Sequence, residues 1–520
     1  MRKKLPIGIQ TFSNLIREGY CYVDKTKLIY QMVVGGKYYF LARPRRFGKS
    51  LLVSTLKSLF KGEQELFKGL AIEREWDWSR SHPVIHFSFG GGVIDSVKML
   101  EKTLAGQLRE HALHYGVKLR TSDPASLQFR ELICLLREKC DESVVVLIDE
   151  YDKPILDNLV AGRDAMAVTI REGLKGFYAV VKESDEHLRF ALLTGVSNFS
   201  KVSLFSGLNN LEDITLSSPF STICGYTKSE LSDVFIDWLK GVDMAALQSW
   251  YNGYNFDGAS VYNPFDVLLY LKNREFRNYW FETGSPSFLM RMLLQQKVSA
   301  PDLTQYHTDD TLLSTFDVDN IPLETLMFQT GYLTIKVKEY IGGSCFYQLG
   351  WPNREVKQSF HASMLDQLTH ADSASRHSSM ALYRCLESGN VDDMRDIFHA
   401  FFASIPHDWY RKNQMANYEG YYCSIVYCYF VALGLEVIAE DVTDKGRIDM
   451  TVKLGDRIFI LEFKVIEMAG QGSALKQIEE KGYAEKYRGQ GDVWLIGVEF
   501  SSKDRNIVGF ATSYAIGSDR

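Results

Sequence analysis

Two acidic residues and a lysine near the carboxyl end of the chain have the spacing of a hydrolytic site. Two strand-like stretches, 447–453 and 457–465, are separated by a Gly-Asp turn signal. If the turn is a two-residue loop, counting back pair by pair places Asp449 directly across from Glu462. Lys464 then lies on the same face, because the side chains of a strand alternate between its two faces.

The pairing of Asp449 with Glu462 predicts a metal site. Two carboxylates that face each other destabilise a sheet unless a cation lies between them, and a divalent metal supplies that cation. The predicted chemistry is metal-assisted phosphodiester hydrolysis. The carboxylates hold Mg²⁺, the metal acidifies a water molecule, and Lys464 orients or deprotonates the nucleophile. The alternative interpretation is a solvated hairpin with scattered charges.

Two neighbouring helices are predicted to add side chains to this site. The apolar positions of 422–433 form one stripe, and Glu419, three residues before that stretch, falls on the stripe. A carboxylate on an inward face needs a partner, so we expect Glu419 at the site. The following helix is predicted to start with Ser473 as its cap, to end near Gly489 and to carry Gln477.

A second set of residues, near the amino terminus, has the pattern of a phosphate-binding loop. A strand-like stretch leads to Gly48-Lys49-Ser50, and an apolar helix follows. In such a loop the backbone N–H groups hold phosphates, Lys49 meets the terminal phosphates and Ser50 binds Mg²⁺. The start of the loop departs from the pattern, because Arg43 stands where the first glycine is expected and Pro44 offers no N–H.

A strand that ends in two acids adds to the nucleotide pattern. Residues 144–148 are five consecutive apolar residues, as in a strand covered on both faces, and Asp149 and Glu150 follow directly. Behind a phosphate loop, Asp149 is expected to hold Mg²⁺ through water and Glu150 to polarise the attacking water. The next buried-strand candidate ends near Thr194 and Asn198, either of which is placed to contact the γ-phosphate. A polar strand end without a ligand is the alternative.

The elements that must position these residues are predicted from periodicity. Over residues 1–225 strands alternate with helices, which argues for a parallel α/β sheet. Apolar residues recur at helical spacing over 52–60, directly after the loop. Helices predicted over 233–239 and 262–271 form a small lid, and 320–356 is interpreted as a winged-helix-like or connecting module.

Composition limits the classes of function. The 520-residue chain is too long for one ordinary core. Its 59 Lys and Arg against 65 Asp and Glu give a net charge of −6, so any nucleic-acid site must be a local patch. The eight cysteines form no C-x-x-C pair, which predicts reduced thiols. No apolar stretch reaches membrane-spanning length, so a cytoplasmic protein without a membrane partner is expected.

Both halves of the chain resemble known families. The amino-terminal part resembles the bacterial AAA-ATPase-like family in Pro6-Ile7-Gly8, Tyr22-Val23-Asp24-Lys25-Thr26, Arg43-Pro44-Arg45-Arg46-Phe47-Gly48-Lys49-Ser50, Asp149-Glu150-Tyr151-Asp152-Lys153-Pro154 and Thr194-Gly195-Val196-Ser197. The carboxyl-terminal part resembles the PD-(D/E)XK nuclease domain usually fused to it in Glu419, Gly446-Arg447-Ile448-Asp449, Glu462-Phe463-Lys464 and Gln477. The combination is far more specific than either motif alone.

The resemblance implies a fold class and a domain order. We expect an α/β protein in which a P-loop NTPase parallel sheet, with a helical lid and connecting module, precedes a restriction-endonuclease-like α/β domain. The expected boundaries are 1–225 for the ATPase-like domain, 226–377 for the lid and the winged-helix-like or connecting region, and 378–520 for the nuclease-like domain.

The resemblance also implies roles and a function. It assigns phosphate and Mg²⁺ binding to Lys49 and Ser50, Walker B roles to Asp149 and Glu150, and the nuclease core to Glu419, Asp449, Glu462 and Lys464, with Gln477 in support. It makes the missing first glycine a family variant. The expected function is binding and hydrolysis of ATP coupled to Mg²⁺-dependent cleavage of nucleic acid, with DNA as the expected substrate and a homo-oligomer as an assembly that fits. The first alternative is a nucleotide-dependent switch that binds DNA or a protein without cutting, and the second is a pseudoenzyme scaffold.

Overall fold

The structure, a computed structural model, describes residues 2–159, 163–198, 210–283, 287–309 with gaps, 313, 322–369, 374–405, 419–466 and 472–515. The chain groups into two compact units. One comprises Met1–Leu289 and Tyr306–Asn353, and the other comprises Met290–Gln305 and Arg354–Arg520. The domain boundaries expected at residues 225 and 377 stay predictions.

A five-stranded parallel sheet organises the first unit. In chain order its strands are β1 Tyr38–Ala42, β2 Val84–Ser88, β3 Val144–Asp149, β4 Leu188–Gly195 and β5 Glu212–Asp213. Across the sheet the order is β2-β3-β4-β1-β5, with parallel pairing throughout. Every residue of β1 and β3 is buried, so both faces of the sheet are covered, as their continuous apolar sequences predict. The predicted parallel α/β sheet is confirmed.

Helices pack around this sheet. The helix predicted directly after the loop is Lys49–Phe60, and the apolar positions that predicted it are buried. Val97–Tyr115 and Ala125–Cys140 follow β2, and Asp164–Glu183 precedes β4. The other helical segments of this part are Phe12–Arg17, Thr26–Gly35, Gln64–Phe67, Lys153–Leu156, Asp185–His187 and Ser218–Phe220.

The outer strand β2 is covered by side chains of the helix Val97–Tyr115. Gln107 accepts a 2.9 Å hydrogen bond from the N–H of Ser88 and donates a 3.0 Å bond to its carbonyl oxygen. The hydroxyl of Tyr115 does the same for Val84, at 2.8 and 3.2 Å. These side chains satisfy backbone groups that an edge strand would otherwise present to another chain. The helix therefore closes this edge of the sheet.

Short helices form the lid region: Lys228–Val234, Met244–Tyr251 and Pro264–Asn273. The helix predicted over 262–271 is confirmed by the last of these, whose first turn is capped by Asn263. The helix predicted over 233–239 is wrong. A capping box of Thr227 and Glu230 starts a helix earlier in the chain, and that helix ends at Val234.

An antiparallel sheet of three strands follows in the first unit. Its strands are β6 His307–Asp309, β7 Thr334–Ile341 and β8 Ser344–Gly350, in the order β6-β8-β7. The helix Leu323–Thr330 directly precedes β7, and most of its side chains are buried. The interpretation of residues 320–356 as a winged-helix-like or connecting module stays a prediction.

A mixed five-stranded sheet organises the second unit. Its strands are β9 Glu436–Thr443, β10 Gly446–Leu454, β11 Arg457–Ile466, β12 Asp492–Ser501 and β13 Asn506–Ala515. The order is β13-β12-β11-β10-β9, in which only the pair of β11 and β12 is parallel. Its described helical segments are Pro301–Thr304, Arg354–Thr369, Ala374–Ser388, Val391–Asp393, Met394–Ala403, Glu419–Ala432, Ser473–Lys481 and Tyr483–Tyr487, while Ser287–Gln296 crosses from the first unit into the second along the chain.

The helix Glu419–Ala432 is apolar on all sides. Residues 425–431 are all buried, so the single apolar stripe predicted for 422–433 is wrong. A helix that is apolar all round lies inside its domain, and one face cannot be distinguished from another by sequence. The position of Glu419 in the sequence therefore does not indicate that it faces inward.

The state of the cysteines and the apolar character of the helices are both the subject of expectations from composition. All eight cysteines lie within the described residues and are free thiols, as predicted. In the part of the chain that the structure describes, no helix is both long enough and apolar enough to cross a bilayer.

Candidate functional sites

The hairpin of β10 and β11 has the register predicted from its turn. Met450 lies opposite Leu461, and Asp449 and Glu462 are the next residues along the two strands. The carboxylate of Asp449 accepts a 2.8 Å hydrogen bond from the backbone N–H of Phe463. This bond places the Asp449 carboxylate beside Glu462, as the site requires.

Glu462 is a buried carboxylate in which one of the two oxygens is hydrogen-bonded within the described part of the chain. The residue is 2% exposed, and its Oε1 accepts a hydrogen bond from the side-chain amide of Gln477. Its Oε2 is buried and has no hydrogen-bond partner among the described residues. The pKa of Glu462 is raised to about 7, mainly by burial and also by the charge of Asp449, while the charge of Lys464 opposes the shift. A buried carboxyl group with a raised pKa releases its proton readily when a cation binds, because the cation stabilises the ionised form.

The structure brings together four of the five residues expected at this site: Asp449, Glu462, Lys464 and Gln477. Lys464 is half-buried, two residues beyond Glu462 on the same strand. The helix that carries Gln477 is shorter than predicted, because Gly482, with a φ of 60°, ends it at Lys481. Glu419 is the first residue of its helix, and its side chain lies outside what the structure describes, so its role stays a prediction.

The residues present fit a magnesium ion. Within the described ranges no group of three or more His, Cys, Asp and Glu side chains comes together, so the site offers the two carboxylates of Asp449 and Glu462. Mg²⁺ is commonly bound through one or two carboxylates, with water and substrate phosphate oxygens completing its coordination. The unpartnered Oε2 of Glu462 supplies the kind of ligand that this ion requires.

The predicted phosphate loop joins β1 to the helix Lys49–Phe60. Gly48 precedes the helix with a φ of 94°, a left-handed conformation that favours glycine. The ammonium group of Lys49 donates hydrogen bonds to the carbonyl oxygens of Arg43 and Pro44, at 2.8 and 2.9 Å. Burial lowers the pKa of Lys49, and the negative charge of Asp149 opposes that shift. Lys49 is therefore folded back over its own loop.

Arg43, which replaces the first glycine of the loop, points its side chain away from the loop. Its guanidinium donates to the carbonyl oxygens of Ala42, Thr215 and Phe220 at 2.9, 2.8 and 3.2 Å. It also lies 4.0 Å from the ring centre of Phe256. Burial lowers the pKa of Arg43 to about 10. The residue contributes only backbone to the loop, so its side chain does not block a phosphate there.

The two acids at the end of β3 have different surroundings. The hydroxyl of Thr194 donates a 2.6 Å hydrogen bond to Asp149, since β4 lies next to β3. Glu150 has a φ of 56°, and burial raises its pKa, with Asp149 adding to the shift. A raised pKa suits a group that takes a proton from water. Asn198, the alternative contact for a phosphate, donates instead to Asp213 at 2.6 Å.

Asp152 is a site residue to which the sequence assigned no role. It is 1% exposed and accepts hydrogen bonds from the N–H groups of Val196 and Ser197 and from the Ser197 hydroxyl, at 3.0, 2.7 and 2.5 Å. It thereby ties the end of β3 to the end of β4. Asp152 lies three residues after Asp149, within the motif Asp149-Glu150-Tyr151-Asp152-Lys153-Pro154. Its position in that motif is the signal that the sequence offered.

A cavity of about 440 Å³ adjoins the loop and the acids. Its lining includes the loop residues Arg45 to Ser50 together with Glu150 and Asp152. It also includes apolar side chains from distant parts of the chain, among them Ile9, Leu15, Phe265 and Leu268. The volume and the mixed lining are those of a small-molecule site. Free N–H groups at the start of the helix and the Lys49 ammonium suit a polyphosphate, and the apolar side chains suit a base.

Comparison with known proteins finds a family match for each half of the chain. Residues 6–205, which include the loop and the acids of β3, match the family described as Predicted AAA-ATPase. Residues 417–510, which include the hairpin and Gln477, match the PD-(D/E)XK nuclease superfamily. A relative from Azotobacter chroococcum mcd 1, an uncharacterised protein in the vnfD 5′ region, is 50% identical over 512 residues, or 98% of each chain. The chain belongs to the AAA-ATPase-like family fused to a PD-(D/E)XK nuclease domain.

For this AAA-ATPase-like protein, the family and the fold class expected from the motifs are confirmed. The two matched ranges contain every residue that the sequence proposed for a site. The roles of the individual residues, from Gly48, Lys49 and Ser50 to Glu462 and Lys464, stay predictions. Their positions now allow those roles to be argued from geometry.

Proposed function

We propose that this protein binds and hydrolyses ATP at the phosphate loop and that nucleotide binding controls a Mg²⁺-dependent cleavage of DNA at the hairpin of β10 and β11. The observation that supports this best is that Oε2 of Glu462, a residue next to Asp449, is buried and has no hydrogen-bond partner in the described part of the chain. A structural carboxylate has its oxygens satisfied. Asp441, in the same sheet, is such a group, because it accepts hydrogen bonds from Thr451, Lys486 and Tyr487.

The chain's own residues would divide the nuclease chemistry among them. When bound between Asp449 and Glu462, Mg²⁺ would supply a more acidic water molecule and positive charge against the phosphate. Gln477 holds the Glu462 carboxylate in one orientation through its amide. Lys464, on the same strand face as Glu462, would bind a phosphate oxygen or hold the attacking water.

At the phosphate loop, Lys49 would exchange two carbonyl partners for phosphate oxygens. A hydrogen bond between an ammonium and a charged phosphate is stronger than one to a neutral carbonyl, so a nucleotide competes well for Lys49. Ser50 and Asp149 would hold the Mg²⁺ that accompanies ATP. Glu150, with its raised pKa, would take a proton from the attacking water.

The proposal is tested by cleavage assays on linear DNA, circular DNA and RNA, with ATP and Mg²⁺ varied independently. Asp449→Ala and Lys49→Ala are compared with the wild type. Asp456→Ala is the control for the first, because Asp456 is an exposed acid at the turn of the same hairpin. Lys61→Ala is the control for the second, because Lys61 follows the same helix at its far end.

We expect Mg²⁺-dependent cleavage of DNA that Asp449→Ala abolishes and that Lys49→Ala uncouples from ATP. If wild type and Asp449→Ala leave every substrate equally intact under all conditions, the nuclease proposal fails and a nucleotide-dependent binding switch replaces it. Cleavage that ignores ATP and survives Lys49→Ala would remove the control by nucleotide. Preferential cleavage of RNA would correct the substrate class.

A further inference from the structure

The helix Ser473–Lys481, which carries Gln477, is anchored at its start by Glu499 of β12. Glu499 is 1% exposed, and its Oε1 accepts hydrogen bonds from the N–H and the hydroxyl of Ser473, both at 2.6 Å, and from the N–H of Ala474 at 3.3 Å. Its Oε2 accepts from the N–H of Gly472 at 3.2 Å. The cap predicted at Ser473 is thus wrong. A carboxylate from another strand satisfies the first turn and complements the helix dipole.

Two glycines make room for this anchor. Gly497 pairs with Glu462 across β11 and β12, and a Cβ atom at Gly497 would lie 2.2 Å from the backbone nitrogen of Leu475. A Cβ atom at Gly509 would lie 2.4 Å from Oε2 of Glu499. At Gly497 the helix backbone leaves no space for a side chain, and at Gly509 a side chain would displace the Glu499 carboxylate. The close approach of the helix to the sheet beside Glu462 therefore depends on these glycines.

The end of the same helix is anchored by Tyr483. Gly482 turns the chain, and the buried hydroxyl of Tyr483 donates a 3.0 Å hydrogen bond to the carbonyl oxygen of Arg447 on β10. Gly446 has a φ of 152°, and a Cβ atom there would lie 2.9 Å from that hydroxyl, so both the backbone and the hydroxyl favour glycine at this position. Burial raises the pKa of Tyr483, and the charge of Glu462 raises it further.

We infer that Glu499 and Tyr483 form a clamp that positions Gln477, and through Gln477 the carboxylate of Glu462, for metal binding. The two anchors attach to β12 and β10, and Glu462 lies on β11 between those strands. Because Gln477 is in the middle of the helix, fixing both helix ends fixes where its amide meets Glu462. Glu499 and Tyr483 are positioning residues, and their role rests on the proposed nuclease function.

The test uses the full chain and two conservative variants, Glu499→Gln and Tyr483→Phe, each with a matched control. Asp441→Asn controls the first, since Asp441 is a buried carboxylate whose hydrogen bonds come from Thr451, Lys486 and Tyr487, none of which belongs to the helix Ser473–Lys481. Tyr487→Phe controls the second, since Tyr487 is similarly buried in the same short helical turn but its hydroxyl donates to Asp441 of β9 rather than to β10. Hydrogen exchange of amides 474–481 reports on the helix. Mn²⁺ binding is measured from the electron paramagnetic resonance signal of the free ion. Binding that persists in Asp449→Ala is subtracted, so the difference reports on the metal site.

We expect Glu499→Gln and Tyr483→Phe to speed exchange in the helix and to weaken Mn²⁺ binding about 10-fold, the low end for residues that support metal ligands. The controls should leave both unchanged even where they lower the melting temperature. Unchanged Mn²⁺ affinity in both variants, or an equal loss in the controls, would overturn the clamp. If the wild type binds no Mn²⁺ at this site, the proposed nuclease function fails, and exchange alone decides whether these residues hold the helix.

Discussion

The ammonium of Lys49 donates a 2.8 Å hydrogen bond to the carbonyl oxygen of Arg43, the residue that stands where a phosphate loop has its first glycine. The bond is compatible with an arginine because the side chain of Arg43 leaves the loop and is held by Thr215 and Phe220. Arg43 in place of the first glycine therefore adds side-chain contacts outside the loop, and the loop backbone stays available to phosphate.

Replacing Arg43 should affect stability more than nucleotide binding. Arg43→Met leaves buried carbonyl oxygens without their donor, which we expect to cost on the order of 3 kcal/mol in the free energy of unfolding. Arg46→Met, on the exposed part of the same loop, should cost less than about 0.5 kcal/mol. Urea unfolding measures both. A tighter ATP affinity in Arg43→Gly, measured with a fluorescent ATP analogue, would show that the loop is defective rather than adapted.

Removing the hydroxyl of Thr194 should slow ATP hydrolysis and spare binding. Thr194→Val keeps the shape of the side chain but removes the 2.6 Å hydrogen bond to Asp149, which then loses its fixed orientation. We expect steady-state hydrolysis to fall roughly 10-fold, as for other residues that orient a metal ligand, with little change in ATP affinity. Thr330→Val is the control, because the Thr330 hydroxyl donates to Leu326 and Met327 of its own helix. Equal rates for wild type and Thr194→Val would remove this role.

Metal binding at the hairpin should depend on pH near neutrality. The pKa of Glu462 is raised from its ordinary value of 4.5 to about 7, so in that interval the folded chain keeps a proton that the unfolded chain has released. The stability of the second unit without metal should therefore fall as pH rises through this window. A metal requires the ionised carboxylate, so Mn²⁺ affinity should rise over the same interval, with release of a proton.

Calorimetry in two buffers with different heats of ionisation measures that proton. Lys464→Met removes the positive charge that opposes the shift, and it should move the rise in affinity to higher pH. An affinity that stays constant from about pH 6 to about pH 8 would contradict the account of Glu462.

Local patterns in the sequence were sufficient for the elements that carry the sites. The strand, loop and helix around Gly48 and the hairpin register that brings Asp449 to Glu462 follow from periodicity and turn geometry, which act over a few residues. The apolar residues of the helix Glu419–Ala432 are evident from the sequence. Their burial on all sides is not, since burial depends on what the rest of the chain places around the helix.

Contacts between distant residues could not be predicted in this way. Glu499 caps a helix that begins 26 residues earlier in the chain, and Tyr483 anchors it to Arg447, 36 residues away. Arg43 reaches Thr215 over 172 residues. No periodicity relates such pairs, because tertiary packing decides which side chain meets which backbone group.

The most direct test of the central claim is the rate at which supercoiled DNA is nicked with ATP and Mg²⁺ by wild type and by Asp449→Asn. The substitution keeps the size of the side chain and removes the charge that would hold the metal. Asp456→Asn, at the exposed turn of the same hairpin, is the control. We expect Asp449→Asn to lose at least about 100-fold in rate while the control retains the wild-type rate. Equal nicking by wild type and Asp449→Asn would contradict the assignment of the nuclease site to this hairpin.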